Sequence, residues 1–327
     1  MNFTPCGSNG TVEGYCILKT VEKKVTAKGA AYLDMTISDK EGEMNAKLWD
    51  YKEPTVKFAV NDFVKVRGTV ISYNDTEQFR VDRIRHVQEA DHVNIEDYVE
   101  SAYLTGEVML RQIEQVVDGF SDDEQRRLVT AVIAEYRETL LYWPAALKLH
   151  HALRGGLLLH TLSILRLAQA VCRVYPVLNA DLLFSGVILH DIAKIEEIKS
   201  TQTGVATDYT VRGNLLGHLV MGAINIDRIG RANGIGDDTL TLVEHMLISH
   251  HGEPEFGAAQ FPMFPEAEIL SELDLMDARM FEMTKSIEAI DEGEFTSRQW
   301  ALDNRKLFRH NRGGENRPNL MDEEDAQ

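Results

Sequence analysis

Cysteine is scarce: Cys6, Cys16 and Cys172 are the only three, and they lie far apart with no C-x-x-C pair. That excludes a disulfide framework and a thiolate zinc site, so any metal must be held by nitrogen and oxygen. The opening MNFTPCGSNGTVEGY lacks the basic start and apolar run of a signal peptide, and no later segment reaches about eighteen uninterrupted apolar residues. The expectation is a cytoplasmic protein with no membrane partner. No G-x-S-x-G elbow surrounds Ser163 and no cysteine sits in a catalytic pattern, so no protein nucleophile presents itself. Net positive charge is missing as well, and a formal charge of −18 argues against general coating of a nucleic acid. Residues 12 to 88 nearly balance acids against bases, however. The acidic excess lies elsewhere, including the tail MDEEDAQ, which leaves room for a small single-strand site.

What is present organises itself into parts. A chain of 327 residues with 44% hydrophobic content suits two or more domains with a sizeable core. From Val12 to about Val87 the pattern is short, alternating and β-rich: GYCILKTVEKKV, AYLDMTISD, EMNAKLWD, DFVKVRGTVISY and QFRVDRIRHV, separated by Lys28-Gly29, Asp39 to Gly42 and Asn74-Asp75. Five such runs in about 75 residues predict an OB-fold β-barrel over 12–90, after a flexible N-terminus at 1–11. Beyond Val93 the apolar spacing becomes three and four, predicting connecting helices over 91–145, with Ser121 and Glu124 as a capping box. An all-α bundle follows over 146–292, then a C-terminal helix or disordered acidic tail at 293–327. The fold class is thus multidomain β + α.

Histidine and aspartate placement carries the chemistry. The run GVILHDIAKIEEI sets His190 and Asp191 side by side where every neighbour favours burial. His160 interrupts GGLLLHTLSIL, His218 interrupts NLLGHLVMG, and His245, His250 and His251 come from LVEHMLISHHG, while Asp274 and Asp277 come from LSELDLMDARM. A lone histidine on an apolar helix is more often a hydrogen-bonded core residue than a ligand. Jointly, though, imidazoles and carboxylates on successive helices are what one or two divalent metals in a bundle core require. Such donors suit Mn²⁺, Fe²⁺, Co²⁺ or Zn²⁺ better than Mg²⁺ alone.

The order His160, His190-Asp191, Asp274 resembles the H…HD…D signature of the HD-domain phosphohydrolase superfamily. The resemblance implies that these four residues bind one metal, that His218 and His250 recruit a second, and that Asp191 bridges the two. Its A-D-x-x-D-A pattern places the ligand at Asp274, with Asp277, His245 and His251 in supporting or substrate-facing positions. Together with the N-terminal run VEGYCILKTVEKKVTAKGAAYLDMTISDKEGEMNAKLWD, the segments HHALRGGLLLHTLS, LLFSGVILHDIAKIEE, GHLVMG and ISHHGEPEFG resemble the YhaM-type exoribonuclease family over roughly residues 12 to 290. This resemblance implies Mn²⁺ as the favoured metal, and two metals can activate a water for in-line attack on a phosphodiester. Lys194, in an HD-x-x-K spacing, is expected to share a helix face with His190 and to face the phosphate.

Further substrate-binding candidates are Lys148, His151 and Arg154, for which a surface turn is the alternative, and His251. On the barrel, Tyr32, Trp49, Tyr73 and Phe79 are candidate base-stacking aromatics, with Lys47, Lys65, Arg80, Arg83 and Arg85 for the backbone and Phe58 and Phe63 for the barrel core. The expectation is a metal-dependent 3′–5′ exonuclease on single-stranded RNA, with single-stranded DNA as a further partner and a homo-oligomer for avidity. The alternatives are a phosphohydrolase of free or cyclic nucleotides and a non-catalytic single-strand binder.

Overall fold

Alternation of apolar and polar residues is what closes the front of the chain into a barrel. The computed structural model describes residues 1–6, 10–52, 57–73, 76–147 and 151–312. Its strands are β1 (Thr4–Pro5), β2 (Val12–Val25), β3 (Ala31–Asp39), β4 (Gly42–Leu48), β5 (Phe63–Tyr73) and β6 (Thr76–His86). They pair in the order β1-β2-β3-β4-β6-β5, with β2 also pairing β5, so the five long strands form a closed ring. Only β4 and β6 run parallel. That circuit is the OB-fold order. Every second residue points inward: Cys16 and Leu18, Leu33, Met35 and Ile37, Ala46, Val64 and Val66, Phe79 and Val81 make one buried core. Burial raises the Cys16 thiol to about 12. At the β5–β6 bulge a Cβ on Gly68 would stand 2.0 Å from the Arg80 carbonyl oxygen, so only glycine fits there.

Three expectations change here. The start expected to be flexible makes defined contacts: Phe3 stacks on Phe79 at 4.7 Å and Thr4–Pro5 pair with β2. Phe79 fills the core and faces no ligand. Phe63 lies outside the barrel core, half-buried against Tyr98 and Tyr15, whereas Phe58 packs on the core as expected.

The helices are α1 (Gly106–Asp118), α2 (Asp123–Leu140), α3 (Gly156–Val174), α4 (Ala180–Leu189), α5 (Lys194–Glu197), α6 (Val211–Ala232), α7 (Asp237–Ser249) and α8 (Pro265–Glu288). A small hairpin, β7 (Ile198–Ser200) with β8 (Ala206–Tyr209), sits between α5 and α6. Met109, Ile113 and Val117 of α1 and Leu128, Val132 and Ile133 of α2 share one apolar core with α3, α4, α6, α7 and the start of α8. The two helices read as connectors are therefore bundle members. Asp122, not Ser121, caps α2 by accepting from the amides of Glu124 and Gln125, while the Ser121 hydroxyl donates to Asp181. Helix α3 is long and apolar enough to cross a membrane, but half of that stretch is buried against the bundle.

Barrel and helices up to Asp274 form one compact unit. Within it Asn61 donates to the Val205 carbonyl at 3.2 Å and the 99–102 segment pairs with Arg154 through Ser101. Residues from Leu275 onward form a second unit. There α8 runs out to Glu288, and 293–309 doubles back through Phe295–Phe308 and Gln299–Arg305 bridges around a short turn at Trp300–Leu302. The described part of 293–327 is thus a looped hairpin without an α-helix, and 313–327 lie outside the described residues.

Candidate functional site

Helix ends, not helix middles, deliver most of the buried polar groups. Helix α4 stops at Leu189 and α7 at Ser249, and the next residue in each case is a histidine at the C-cap. His190 Nδ1 donates to the Val187 carbonyl at 2.8 Å, and His250 Nδ1 donates to the Leu247 carbonyl at 2.7 Å. A carbonyl can only accept, so both rings carry a proton on Nδ1 and, when neutral, a lone pair on Nε2. His160 comes from the inner face of α3, which starts tightly: a Cβ on Gly156 would meet the His151 carbonyl oxygen at 2.0 Å. His218 follows a break in α6, where Gly217 adopts φ 70° and ψ 162°.

Asp191 stands between two groups of these rings. Its Oδ2 faces His190 Nε2 at 3.3 Å, His160 Nε2 at 3.6 Å and Lys194 Nζ at 2.6 Å. Its Oδ1 faces His218 Nε2 at 3.3 Å and His250 Nε2 at 3.8 Å. Asp274 completes the first group, with Oδ1 3.1 Å from His160 Nε2. His251 joins the second: its potential donor atom lies within 4.8 Å of those of His218 and His250, and its Nδ1 donates to the Phe256 carbonyl. The six residues expected to hold metal, His160, His190, Asp191, His218, His250 and Asp274, thus converge.

The electrostatics are those of donors held ready. Burial alone would raise the Asp191 carboxyl, but the Lys194 ammonium and the His190 ring hold it well below the usual carboxylate range. Asp274 is likewise lowered, burial being outweighed by the His160 contact. Burial pushes His250 well below an ordinary imidazole, with His190 adding to it, and His251 is lowered by burial and His218. For Lys194 burial would lower the ammonium, yet Asp191 raises it. Among the described residues Asp191 Oδ1, His218 Nε2 and His250 Nε2 are buried without any hydrogen-bond partner. Three convergent acceptors with no donor between them are unfavourable unless a cation lies there. The residues therefore fit a divalent metal.

Other expected residues land elsewhere. Lys194 shares no helix with His190, because residues 190–193 turn before α5 begins; it reaches Asp191 across that turn, with its carbonyl held by Trp143 Nε1 at 2.9 Å. His151 is buried with its ring 5.3 Å from that of His160. Arg154 instead braces the junction below the barrel, donating to the Gln202 carbonyl, lying over the Tyr142 ring and 3.8 Å from Glu96. His245 accepts from the Met263 amide at 3.0 Å and packs on Phe264, outside the cluster. Lys148 and the Tyr73 side chain lie outside the described residues, and Asp277 belongs to the second unit.

On the barrel, Trp49 is 41% exposed and stacks on Tyr32 at 4.7 Å, with Lys47 Nζ 5.7 Å from the indole. Arg80 is exposed and registers beside Lys47 across β4 and β6. A cleft of about 710 Å³ continues from Trp49 past Lys65, Arg67, Arg83 and Arg85. Lys65 is tied to Glu13 and Arg85 to Asp91, whereas no ion pair among the described residues involves Lys52, Arg67 or Arg83, which also line the cleft. Glu197, which accepts from His218, is a further residue of the site that no sequence pattern marks.

Residues 157–279 match the family model described as HD domain. The chain is 36% identical to the 3′-5′ exoribonuclease YhaM of Listeria welshimeri over 299 residues, covering 91% of this chain and 95% of that protein. It is 35% identical to the protein of the same name from Bacillus subtilis, covering 91% and 94%. A solved structure, the protein PriB from Ralstonia solanacearum, is similar over 25% of this chain and 100% of its own, at 14% identity and a TM-score of 0.22.

Proposed function

Because this chain belongs to the YhaM family of 3′-5′ exoribonucleases, we propose that it removes nucleoside monophosphates stepwise from the 3′ end of single-stranded RNA in a metal-dependent hydrolysis. The observation that carries the reading is the meeting of Asp191 Oδ1, His218 Nε2 and His250 Nε2, all buried and none hydrogen-bonded.

One divalent cation would be held by His160, His190, Asp191 and Asp274, and a second by Asp191, His218 and His250, with His251 bordering it. The nitrogen-rich donor set favours Mn²⁺, with Fe²⁺, Co²⁺ or Zn²⁺ next. When bound, such cations supply Lewis acidity toward a phosphodiester and a water of lowered pKa. The chain's own contribution is to fix the donors. His190 and His250 are oriented by backbone carbonyls, and Asp191 stays ionised because Lys194 and His190 outweigh its burial. Lys194 stays protonated beside it and adds a positive charge where an anionic phosphate arrives.

Substrate is gathered on the barrel. Strands β3 and β4 form the face on which OB-folds bind single strands, and the Tyr32–Trp49 stack with Lys47 and Arg80 offers unpaired bases a π surface and their phosphates two cations. The test uses RNA labelled at its 5′ end. A ladder shortening one nucleotide at a time from the 3′ end, stopped by chelator and restored by Mn²⁺, is expected. Internal fragments, or turnover of free nucleotides with oligonucleotides left intact, would overturn the assignment.

A further inference from the structure

Helix α6 is continuous in sequence but broken at Gly217, whose φ of 70° and ψ of 162° interrupt the helical hydrogen-bond ladder. The break leaves the His218 amide facing out of the ladder, as at any helix start. Glu197, the last residue of α5, meets it: Oε1 accepts from the His218 amide at 3.0 Å. The same carboxylate accepts from the imidazole, with Nδ1 3.1 Å from Oε1 and 3.0 Å from Oε2. One buried side chain therefore caps the second half of α6 and fixes the ring that begins it. With its Nδ1 proton given to Glu197, His218 turns Nε2 toward Asp191 Oδ1.

The placement of Glu197 is itself built. Gly213 lets α6 lie against it, since a Cβ there would stand 2.4 Å from the Glu197 carbonyl oxygen. That carbonyl accepts from the Thr210 amide at 2.8 Å. The neighbouring Glu196 anchors the turn by accepting from Tyr136, Asn225 and Arg212. Among the described residues Glu197 belongs to none of the groups placed to hold a metal ion, and its carboxylate is engaged in two hydrogen bonds to His218.

We infer that Glu197 is the positioning residue of the second cation site: it selects the Nδ1-protonated form of His218 and aims Nε2 at the space shared with Asp191 and His250. This rests on the reading that the cluster holds cations. It gives His218 the carboxylate-to-imidazole arrangement that orients ligands and raises their basicity in metal proteins.

The experiment compares wild type, Glu197→Gln and Glu197→Ala in two measurements. In metal-free protein labelled with ¹⁵N-histidine, the His218 ring in wild type and in Glu197→Gln is expected to be protonated at Nδ1, since a single amide Oε1 can replace the oxygen that both donors reach. In Glu197→Ala it is expected to shift toward the Nε2-protonated form. In Mn²⁺ titrations followed by electron paramagnetic resonance, Glu197→Ala is expected to weaken the second binding event roughly 10- to 100-fold while the first stays within about threefold, with Glu197→Gln recovering most of the loss. An Ala variant with the wild-type ring signals overturns the inference, as does one with wild-type Mn²⁺ affinity at both events. Wild-type protein that takes up no Mn²⁺ but shows the Nδ1-protonated ring overturns the cation reading instead.

Discussion

Asp191 and Lys194 form a buried ion pair whose two halves should not be equally expendable. Their side chains are 3% and 12% exposed and their charged atoms 2.6 Å apart. Asp191 has other neighbours, the Nε2 atoms of His160, His190, His218 and His250 at 3.3–3.8 Å. Lys194 has no second carboxylate in ion-pair contact among the described residues. Replacing Asp191 by Asn therefore takes the nearest counter-charge from a buried ammonium, at about 3–5 kcal/mol, whereas Lys194→Met leaves a carboxylate that still faces four imidazoles and should cost clearly less. Removing both members substitutes an uncharged pair for a charged one, which is often close to neutral, so the double variant should regain about 3 kcal/mol over Asp191→Asn alone. Urea unfolding of the chelator-treated proteins, followed by circular dichroism, measures all four stabilities without any contribution from cations. If Asp191→Asn unfolds at the wild-type midpoint, or if adding Lys194→Met brings no recovery, the account of this pair is wrong. All three variants should lack nuclease activity, so stability separates them where turnover does not.

Acid should destabilise the metal-free protein well above the carboxylate range. The folded His250 ring titrates below its unfolded value, so below about pH 6.5 only the unfolded chain takes up that proton, and stability falls with pH by up to about 1.4 kcal/mol per unit for this one ring. Asp191 and Asp274, also lowered, add to the loss only as the pH approaches about 4. Thermal melts in chelator from pH 7.5 to 5.5 should show a falling midpoint; a flat or rising one contradicts the burial argument. Trp49→Ala should weaken binding of a single-stranded oligonucleotide by about 1–3 kcal/mol, roughly 5- to 150-fold, while cleavage of a dinucleotide stays near wild type. Unchanged affinity in a fluorescence titration removes Trp49 from the interface. Gly68→Ala should destabilise the barrel by about 1–3 kcal/mol, because its methyl would press on the Arg80 carbonyl and on the buried Phe79 ring. A wild-type unfolding midpoint counts against that.

The barrel and the cluster were legible in the sequence for different reasons. A small barrel has one inner face, so period-two alternation marks each strand, and the five runs match β2 to β6 closely. Histidines and aspartates inside otherwise apolar helices mark themselves by the cost of burying them. Phe79 was legible too, since it alternates in phase with Val81, but treating it as an exposed aromatic set aside that phase. The rest depended on contacts between distant residues. Ser121 reads as a cap until Asp181, sixty positions later, takes its hydroxyl. Arg154 reads as a phosphate ligand until the Gln202 carbonyl claims it. Spacing placed Lys194 on the face of His190 by assuming one helix through both, and the turn at 190–193 replaces that geometry with another contact. Glu197 was invisible because nothing in KIEE announces a break in a helix that begins fourteen residues later.

The carbonyl locks on His190 and His250 decide how this centre behaves when stripped. Their imidazoles are clamped by the peptide groups of their own helices, so the rings need no ion to find their orientation. A chelated sample should therefore keep most of its coordination sphere preassembled, and reloading should be limited by how fast an ion sheds its hydration shell and enters, with no slow refolding phase. Inactive preparations would then be recoverable by simple dialysis against the ion.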